Sequence, residues 1–194
     1  MKKILIVGLG NPGEKYSRTR HNLGFVAIEE FVKHKIPGER WSSDKKLKSE
    51  ILKYGDLILA KPQTYMNNSG MAVKLLVDYF KVEGEGIIII HDELDLPLGK
   101  IKVRSGGAAA GHHGVESIIK SLGSDKFTRM RLGIGNLKTL SAERSGAHVD
   151  TNKFVLEPFT SNEKSKVKHM IKQAVGALNT LLEKGLETAQ NQFN

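Results

Sequence analysis

The sequence predicts an α/β domain layered on a mixed, largely parallel sheet. Three observations carry this. Apolar runs of strand length alternate with stretches of helical spacing along the chain. The run GIIIIHDE (Gly86–Glu93) is β-branched through its apolar part, the pattern of a strand buried on both faces. The stretch LKSEILKYGDLILAKP reads as two strands about a tight Gly55-Asp56 turn, and a hairpin makes the sheet mixed.

The elements follow in order. KKILIVGL is the first strand. LGFVAIEEFVKHK, from Leu23 to Lys35, has the spacing of an amphipathic helix with Leu23, Val26, Ala27 and Phe31 on its buried side. Its basic end and the following Pro37-Gly38 give a stop signal. The hairpin comes next, then a helix from about Ser69 to Val82 on the spacing of Val73, Leu76, Val77 and Phe80, closed by Gly84 and Gly86. After the buried strand, KIKVRS alternates and reads as a more exposed strand. GGAAAGHHG is a loop leading into a helix around Val115 to Ser121, and FTRMRLGIG alternates as another strand. A long amphipathic helix runs from roughly Asn162 to Lys184. The sequence leaves open how the segment from Leu140 to Asn152 moves over the cleft. No internal repeat or low-complexity linker interrupts the chain.

Composition bounds what this fold does. At 194 residues the chain is expected to form one domain, 1–194, able to bury a full core. There is no Cys, which excludes disulfides, Cys-ligated zinc and a thiol nucleophile. No apolar run approaches the ~20 residues of a membrane span. The opening MKKILIVGLG is too short and lacks the cleavage site of a signal peptide, so a cytoplasmic protein is expected. Lys and Arg number 30 against 21 Asp and Glu, a net charge of +9 that attracts polyanions.

The loop GLGNPG, Gly8 to Gly13, matches the spacing of a dinucleotide-binding turn. Such a turn needs a helix to open at the glycines. Here Pro12 pushes Asn11 into an extended conformation and Asn-Pro-Gly is turn chemistry. Helical spacing resumes only near His21. The acidic residues that follow, Glu29 and Glu30, lie inside a helix rather than at the end of a second strand. The loop therefore reads as a sharp exit from the sheet that sets Asn11 at the mouth of a site, and no cofactor is expected.

Polar residues collect at such strand ends: Asn11, His21 in RTRHN, YMNNSG from Tyr65, HDELDLP from His91, and GHHG from Gly111 to Gly114. An imidazole is an effective general base near neutral pH, and a carboxylate on one ring nitrogen fixes its tautomer and strengthens it. His21 and Asp92 fit these roles. With no Cys and no G-x-S-x-G elbow, the base is expected to activate water directly. Asn11 and Asn67 suit a carbonyl or a developing oxyanion. A rival reading makes His91, Asp92, Glu93 and Asp95 a metal cluster. Adjacent strand residues point to opposite faces, and no H-E-x-x-H pattern accompanies them, so no metal is assigned. Lys100, Lys102 and Arg104 share one strand face by alternation, as do Arg129 and Arg131, and Arg104 with Arg131 could grip a phosphate.

Taken together GLGNPGEKYSRTRHNLGF, KPQTYMNNSG, HDELDLPLGKIKVR, GHHGVESI, RMRLGIG and FVLEPF resemble bacterial peptidyl-tRNA hydrolase over nearly the whole chain. The resemblance implies a single three-layer α/β/α domain, monomeric, that cleaves the ester between a peptide and the 3′-terminal ribose of tRNA without metal or organic cofactor. It implies His21 as general base, Asp92 as its orienter, and Asn11 and Asn67 on the peptide and terminal nucleotide. Tyr16, Tyr65, Met66 and position 113 would line the same crevice. The basic pair that holds the tRNA 5′-phosphate falls on Arg104 and Arg131, the first usually a Lys in that family. The family loop usually reads G-H-N-G, whereas this chain has His113 where Asn is usual. An imidazole at that place changes hydrogen-bond geometry and charge near neutral pH. Two other readings stay open here: a non-catalytic RNA-binding relative of the same fold, and a hydrolase of some other small ester.

Overall fold

In the computed structural model, residues 3–136 and 150–194 are described; of the Leu140–Asn152 segment, residues 140–149 lie outside them. Strand β1 (Ile4–Gly8) is followed by two 3-10 turns (Glu14–Tyr16 and Arg20–Asn22) and helix α1 (Leu23–Lys35). Strands β2 (Ser42–Asp44), β3 (Ser49–Tyr54) and β4 (Leu57–Pro62) precede a 3-10 turn (Met66–Asn68) and α2 (Ser69–Phe80). Then come β5 (Ile87–Pro97), β6 (Ile101–Ser105), α3 (His113–Leu122), β7 (Thr128–Gly135), α4 (Thr151–Val155) and α5 (Ser161–Phe193).

The strands form one sheet in the order β2-β3-β4-β1-β5-β7-β6. Its centre is parallel, β4 on β1, β1 on β5 and β5 on β7, and both flanks are antiparallel. Alternation along β1 and β5 divides the core. Ile6, Ile88 and Ile90 pack with Leu23, Ala27 and Phe31 of α1 and Met170 and Ala174 of α5. Leu5, Val7, Ile87 and Ile89 face Val73, Leu76 and Phe80 of α2 and Val115 and Ile118 of α3. Helices on both faces give three layers.

Several details differ from the sequence reading. Val26 is 36% exposed. Steps of about 100° per residue carry it away from the stripe that Ile28 and Val32 complete. α2 stops at Lys81, whose left-handed φ of 57° closes the helix before Gly84 is reached. β5 runs on through Asp92 to Pro97, with a shift of register against β7 after Glu93. β7 is nearly buried on both sides because β5 and β6 flank it and helices cover it. α5 continues past Lys184 through a break at Gly185 (φ 83°, ψ 176°). β2 and α4 are short and carry little apolar signal, and the sequence pattern did not mark them.

Candidate active site

The loops leaving β1, β4 and β5 and the start of α3 meet at one edge of the sheet, the usual place for a ligand in an open α/β sheet. The glycines of the first loop serve packing. A Cβ at Gly8 would overlap the Gly24 carbonyl, and one at Gly10 would lie 2.8 Å from the Phe25 ring. Their absence lets α1 sit directly on β1 and brings His21 over the sheet edge.

Asn11 is held on both sides. Its backbone N–H donates to Asn22 Oδ1 at 2.9 Å, and Asn22 Nδ2 donates back to the Asn11 carbonyl at 3.0 Å. Its side-chain Oδ1 accepts the Met66 N–H at 2.7 Å. The oxygen is engaged, and among the described residues no hydrogen bond is made by the Nδ2 donors, which remain for whatever enters the cavity.

His21 projects from the second 3-10 turn toward β5. Its Nδ1 lies 2.9 Å from both carboxylate oxygens of Asp92. An ionised carboxylate only accepts, so Nδ1 carries the proton and Nε2 keeps a free lone pair. Asp92 is 2% exposed, and its Oδ1 also lies 3.0 Å from His112 Nε2. His112 caps α3, its Nδ1 accepting the Val115 N–H at 3.2 Å. Nε2 of His112 must therefore be its donor, and Asp92 accepts from two imidazoles. His91 Nδ1 lies 2.6 Å from the Asp92 carbonyl, and its ring meets His112 edge to face at 4.7 Å.

The electrostatics follow from this packing. Burial alone would raise Asp92, but the charge and hydrogen bonds of His21 and His112 outweigh it and hold the carboxyl well below the usual range. Burial alone would lower His21, and Asp92 more than offsets this, so the imidazole is raised above 6.5. Burial, with His112 beside it, drives His91 well below its usual value and keeps it neutral.

One set among the described residues has ligand atoms close enough for a metal: His21, Asp92 and His112, all within 4.8 Å. The facing nitrogens are both N–H donors to the carboxylate, so a cation would have to displace two hydrogen bonds and two protons. The strand cluster His91, Asp92, Glu93 and Asp95 does not converge. Glu93 faces Arg131, whose Nε donates to it at 2.8 Å.

These side chains open on a cavity of about 640 Å³. Asn11, Tyr16, His21, Tyr65, Met66, Asn67, Asp92 and His113 all line it. Tyr16 and Tyr65 stand edge to face at 6.2 Å. His113 is exposed at the rim, 3.8 Å from Glu116. The sequence reading missed His112, because it started the helix near Val115 and a His is not among the usual capping residues. It also missed the wall formed by Thr151, Asn152, Val155 and Leu156. Arg104 and Arg131 lie outside the cavity. In the β6–β7 register Arg104 faces Arg129 and Lys102 faces Arg131, so all four share one side of the sheet. Arg129 is buried and donates to the carbonyls of Gly106, Gly107 and Ala108, which gives it a structural task. Arg104 is exposed.

A cleft with a carboxylate-oriented histidine and a carboxamide donor, on a three-layer α/β fold, is the arrangement of a hydrolase. Comparison with known proteins specifies it further. Residues 5–194 match the family described as Peptidyl-tRNA hydrolase, and the chain belongs to that family. It is 40% identical to the peptidyl-tRNA hydrolase of Thermodesulfovibrio yellowstonii, covering 98% of both chains. It is 43% identical to that of Aquifex aeolicus, covering 98% of this chain and 95% of the relative. The crystal structure of the Acinetobacter baumannii peptidyl-tRNA hydrolase superposes with a TM-score of 0.82 at 33% identity, covering 98% of this chain and 93% of that one.

Proposed function

We propose that His21, oriented by Asp92, is the general base with which this member of the peptidyl-tRNA hydrolase family cleaves the ester between peptide and tRNA. The observation that carries the reading is the pair of 2.9 Å contacts from His21 Nδ1 to the Asp92 carboxylate, which leaves Nε2 free to accept a proton. A water gives its proton to Nε2 and attacks the ester carbonyl. The Nδ2 of Asn11 donates to the oxyanion. The tetrahedral intermediate collapses, the C–O bond breaks, and the imidazolium returns the proton to the departing 3′-oxygen of the ribose. Asp92 stabilises the imidazolium in between.

In this reading Asn67 binds the terminal nucleotide or peptide, and Tyr16, Tyr65, Met66 and His113 shape the cleft. Arg104 and Arg131 take the tRNA 5′-phosphate, and no metal or cofactor is invoked. Supporting this, the cleft residues all line one cavity within one chain. We also infer one domain over 1–194, acting as a cytoplasmic monomer. The described residues hold no helix long and apolar enough to cross a membrane.

The test is hydrolysis of an N-blocked aminoacyl-tRNA by wild type and by His21→Ala, with free aminoacyl-tRNA as comparison. General-base action is worth roughly 10²–10⁴ in rate, so the variant is expected to lose at least that much. Near-native turnover by His21→Ala would remove His21 from the role. Tight tRNA binding by a wild type that cleaves nothing would instead mark a binding relative.

A further inference from the structure

The turn that carries His21 is anchored by three consecutive side chains on three different elements. His21 reaches Asp92 on β5, and Asn22 reaches the Asn11 peptide after β1. Arg20 turns the other way, toward the segment that forms the far wall of the cavity. Its Nη1 and Nη2 donate to Glu163 Oε1 and Oε2 at 3.0 and 2.9 Å, a bidentate pair. Its guanidinium lies 4.4 Å from the Phe154 ring centre and 4.7 Å from that of Phe159. The backbone repeats the connection: the Arg20 N–H donates to the Glu157 carbonyl at 3.1 Å, and Thr19 bridges Pro158.

Glu163 is itself fixed. Its Oε2 accepts the Thr160 N–H and hydroxyl at 2.8 and 2.9 Å in a capping box at the start of α5. Phe154 belongs to α4, whose Thr151, Asn152 and Val155 line the cavity. Arg20 is 3% exposed, and its buried Nε has no hydrogen-bond partner among the described residues. A buried N–H left unsatisfied is costly and calls for a reason.

We propose that Arg20 and Glu163 are positioning residues: their bidentate pair, enclosed by Phe154 and Phe159, fixes the turn that aims His21 and holds α4 as the opposite wall of the cleft. Arg20 suits this better than Lys because a planar fork sets an orientation, whereas an ammonium sets only a distance. The inference rests on His21 being the base. It makes no claim that Arg20 or Glu163 touches substrate.

The experiment is a double-mutant cycle of Arg20→Lys and Glu163→Gln on the full chain, read as kcat and KM for an N-blocked aminoacyl-tRNA, with His21→Ala in parallel. Arg20→Lys keeps the charge and loses the fork. Glu163→Gln lies 143 residues from Arg20 along the chain; it reaches the turn through the pair or through the Thr160 cap, and the coupling in the cycle isolates the part that the pair carries. A misplacement of about 1 Å costs roughly a hundredfold, so each single variant is expected to lose ten- to a hundredfold in kcat with a smaller change in KM. The double variant should lose little more than either single one. Unfolding midpoints by circular dichroism identify the folded fraction, and rates are taken per folded molecule. Folded Glu163→Gln with unchanged kcat overturns the proposal, as do fully additive losses. If His21→Ala retains activity, the base assignment fails instead, whatever the pair does. Should Arg20→Lys not fold, Phe159→Leu, which loosens the enclosure and keeps the ion pair, must show the same kcat loss or the proposal falls.

Discussion

Asp92→Asn puts the hydrogen-bond network to its most direct test. His112 is locked as a donor at Nε2, because its Nδ1 accepts the Val115 N–H. The carboxamide oxygen of the variant must therefore take the Oδ1 position, 3.0 Å from His112. Its NH₂ then occupies the Oδ2 position, 2.9 Å from His21 Nδ1, so one of the two contacts sets an N–H against an N–H, and the other, to Oδ1, is shared with the His112 donor. His21 relieves this by moving its proton to Nε2, which removes the lone pair that takes the proton from water. The charge is lost as well. At an effective dielectric of about 20, a unit pair this close is worth roughly 5 kcal/mol, which corresponds to a loss on the order of 10³ or more in kcat/KM. The sign of the pH effect is also set. In wild type the raised His21 puts the acid limb of the rate profile above 6.5, since only the neutral imidazole is active. In Asp92→Asn burial acts unopposed, and whatever activity remains should show that limb moved down. The assay is kcat/KM for an N-blocked aminoacyl-tRNA against pH, with folding checked by circular dichroism. A folded variant within tenfold of wild type, its acid limb unmoved, would refute the reasoning.

Arg104→Ala removes an exposed cation and leaves no buried carboxylate unpaired among the described residues, unlike Arg131→Ala, which would strand Glu93. It is expected to raise KM for 5′-phosphorylated tRNA roughly tenfold and to lower the salt slope by about one. The loss should be smaller on a short ester lacking the phosphate, and equal losses would make Arg104 structural. His91 stays neutral when folded and protonates when unfolded, so acid below pH 6.5 should cost stability. His21 has the opposite sign, its contribution being present below 6.5 and lost as pH rises through its raised folded value. Denaturant unfolding from pH 6.5 to about 5 should lose at most roughly 1.4 kcal/mol per unit from His91, and His91→Asn should flatten that slope. Gly24→Ala would drive a Cβ into the backbone of Leu9 and Ile90. It should cost roughly 1–3 kcal/mol, or a few degrees in thermal midpoint at this chain length, and an unchanged midpoint would show that α1 can slide.

What was legible in the sequence depended on signal length. The unbroken IIII run and the helical spacing of Val73, Leu76 and Phe80 are strong apolar signals, and they located β5 and α2 but not the ends of either element. Val26 failed because only the i, i+3 step groups it with Leu23, whereas the stripe that Ile28 and Val32 complete lies on the other side of the helix. β2 rests on Ser-Ser-Asp, whose pairing with β3 is fixed by its neighbour and not by its own side chains. At the site, His21, Asp92 and Asn11 stood out as polar residues at strand exits. His112 did not, because its task comes from a contact 20 residues away. The Arg20–Glu163 pair spans most of the chain and has no local pattern at all. Arg129 and Arg131 looked alike in an alternating strand, yet burial against the Gly106–Ala108 loop separates them.

The far edge of the sheet shows a different economy. β6 has β7 on one side only. On the other, Val103 donates its N–H to Asn194 Oδ1 at 2.7 Å, and its carbonyl accepts from Asn194 Nδ2 at 3.0 Å and Gln190 Nε2 at 3.2 Å. A single carboxamide thus imitates the next strand, presenting one donor and one acceptor where a neighbouring backbone would. The break at Gly185 is what swings those last residues back within reach. An open edge would be a template for a second chain to pair with. Here the helix tail occupies the middle of that template, so the chain carries its own guard against strand exchange.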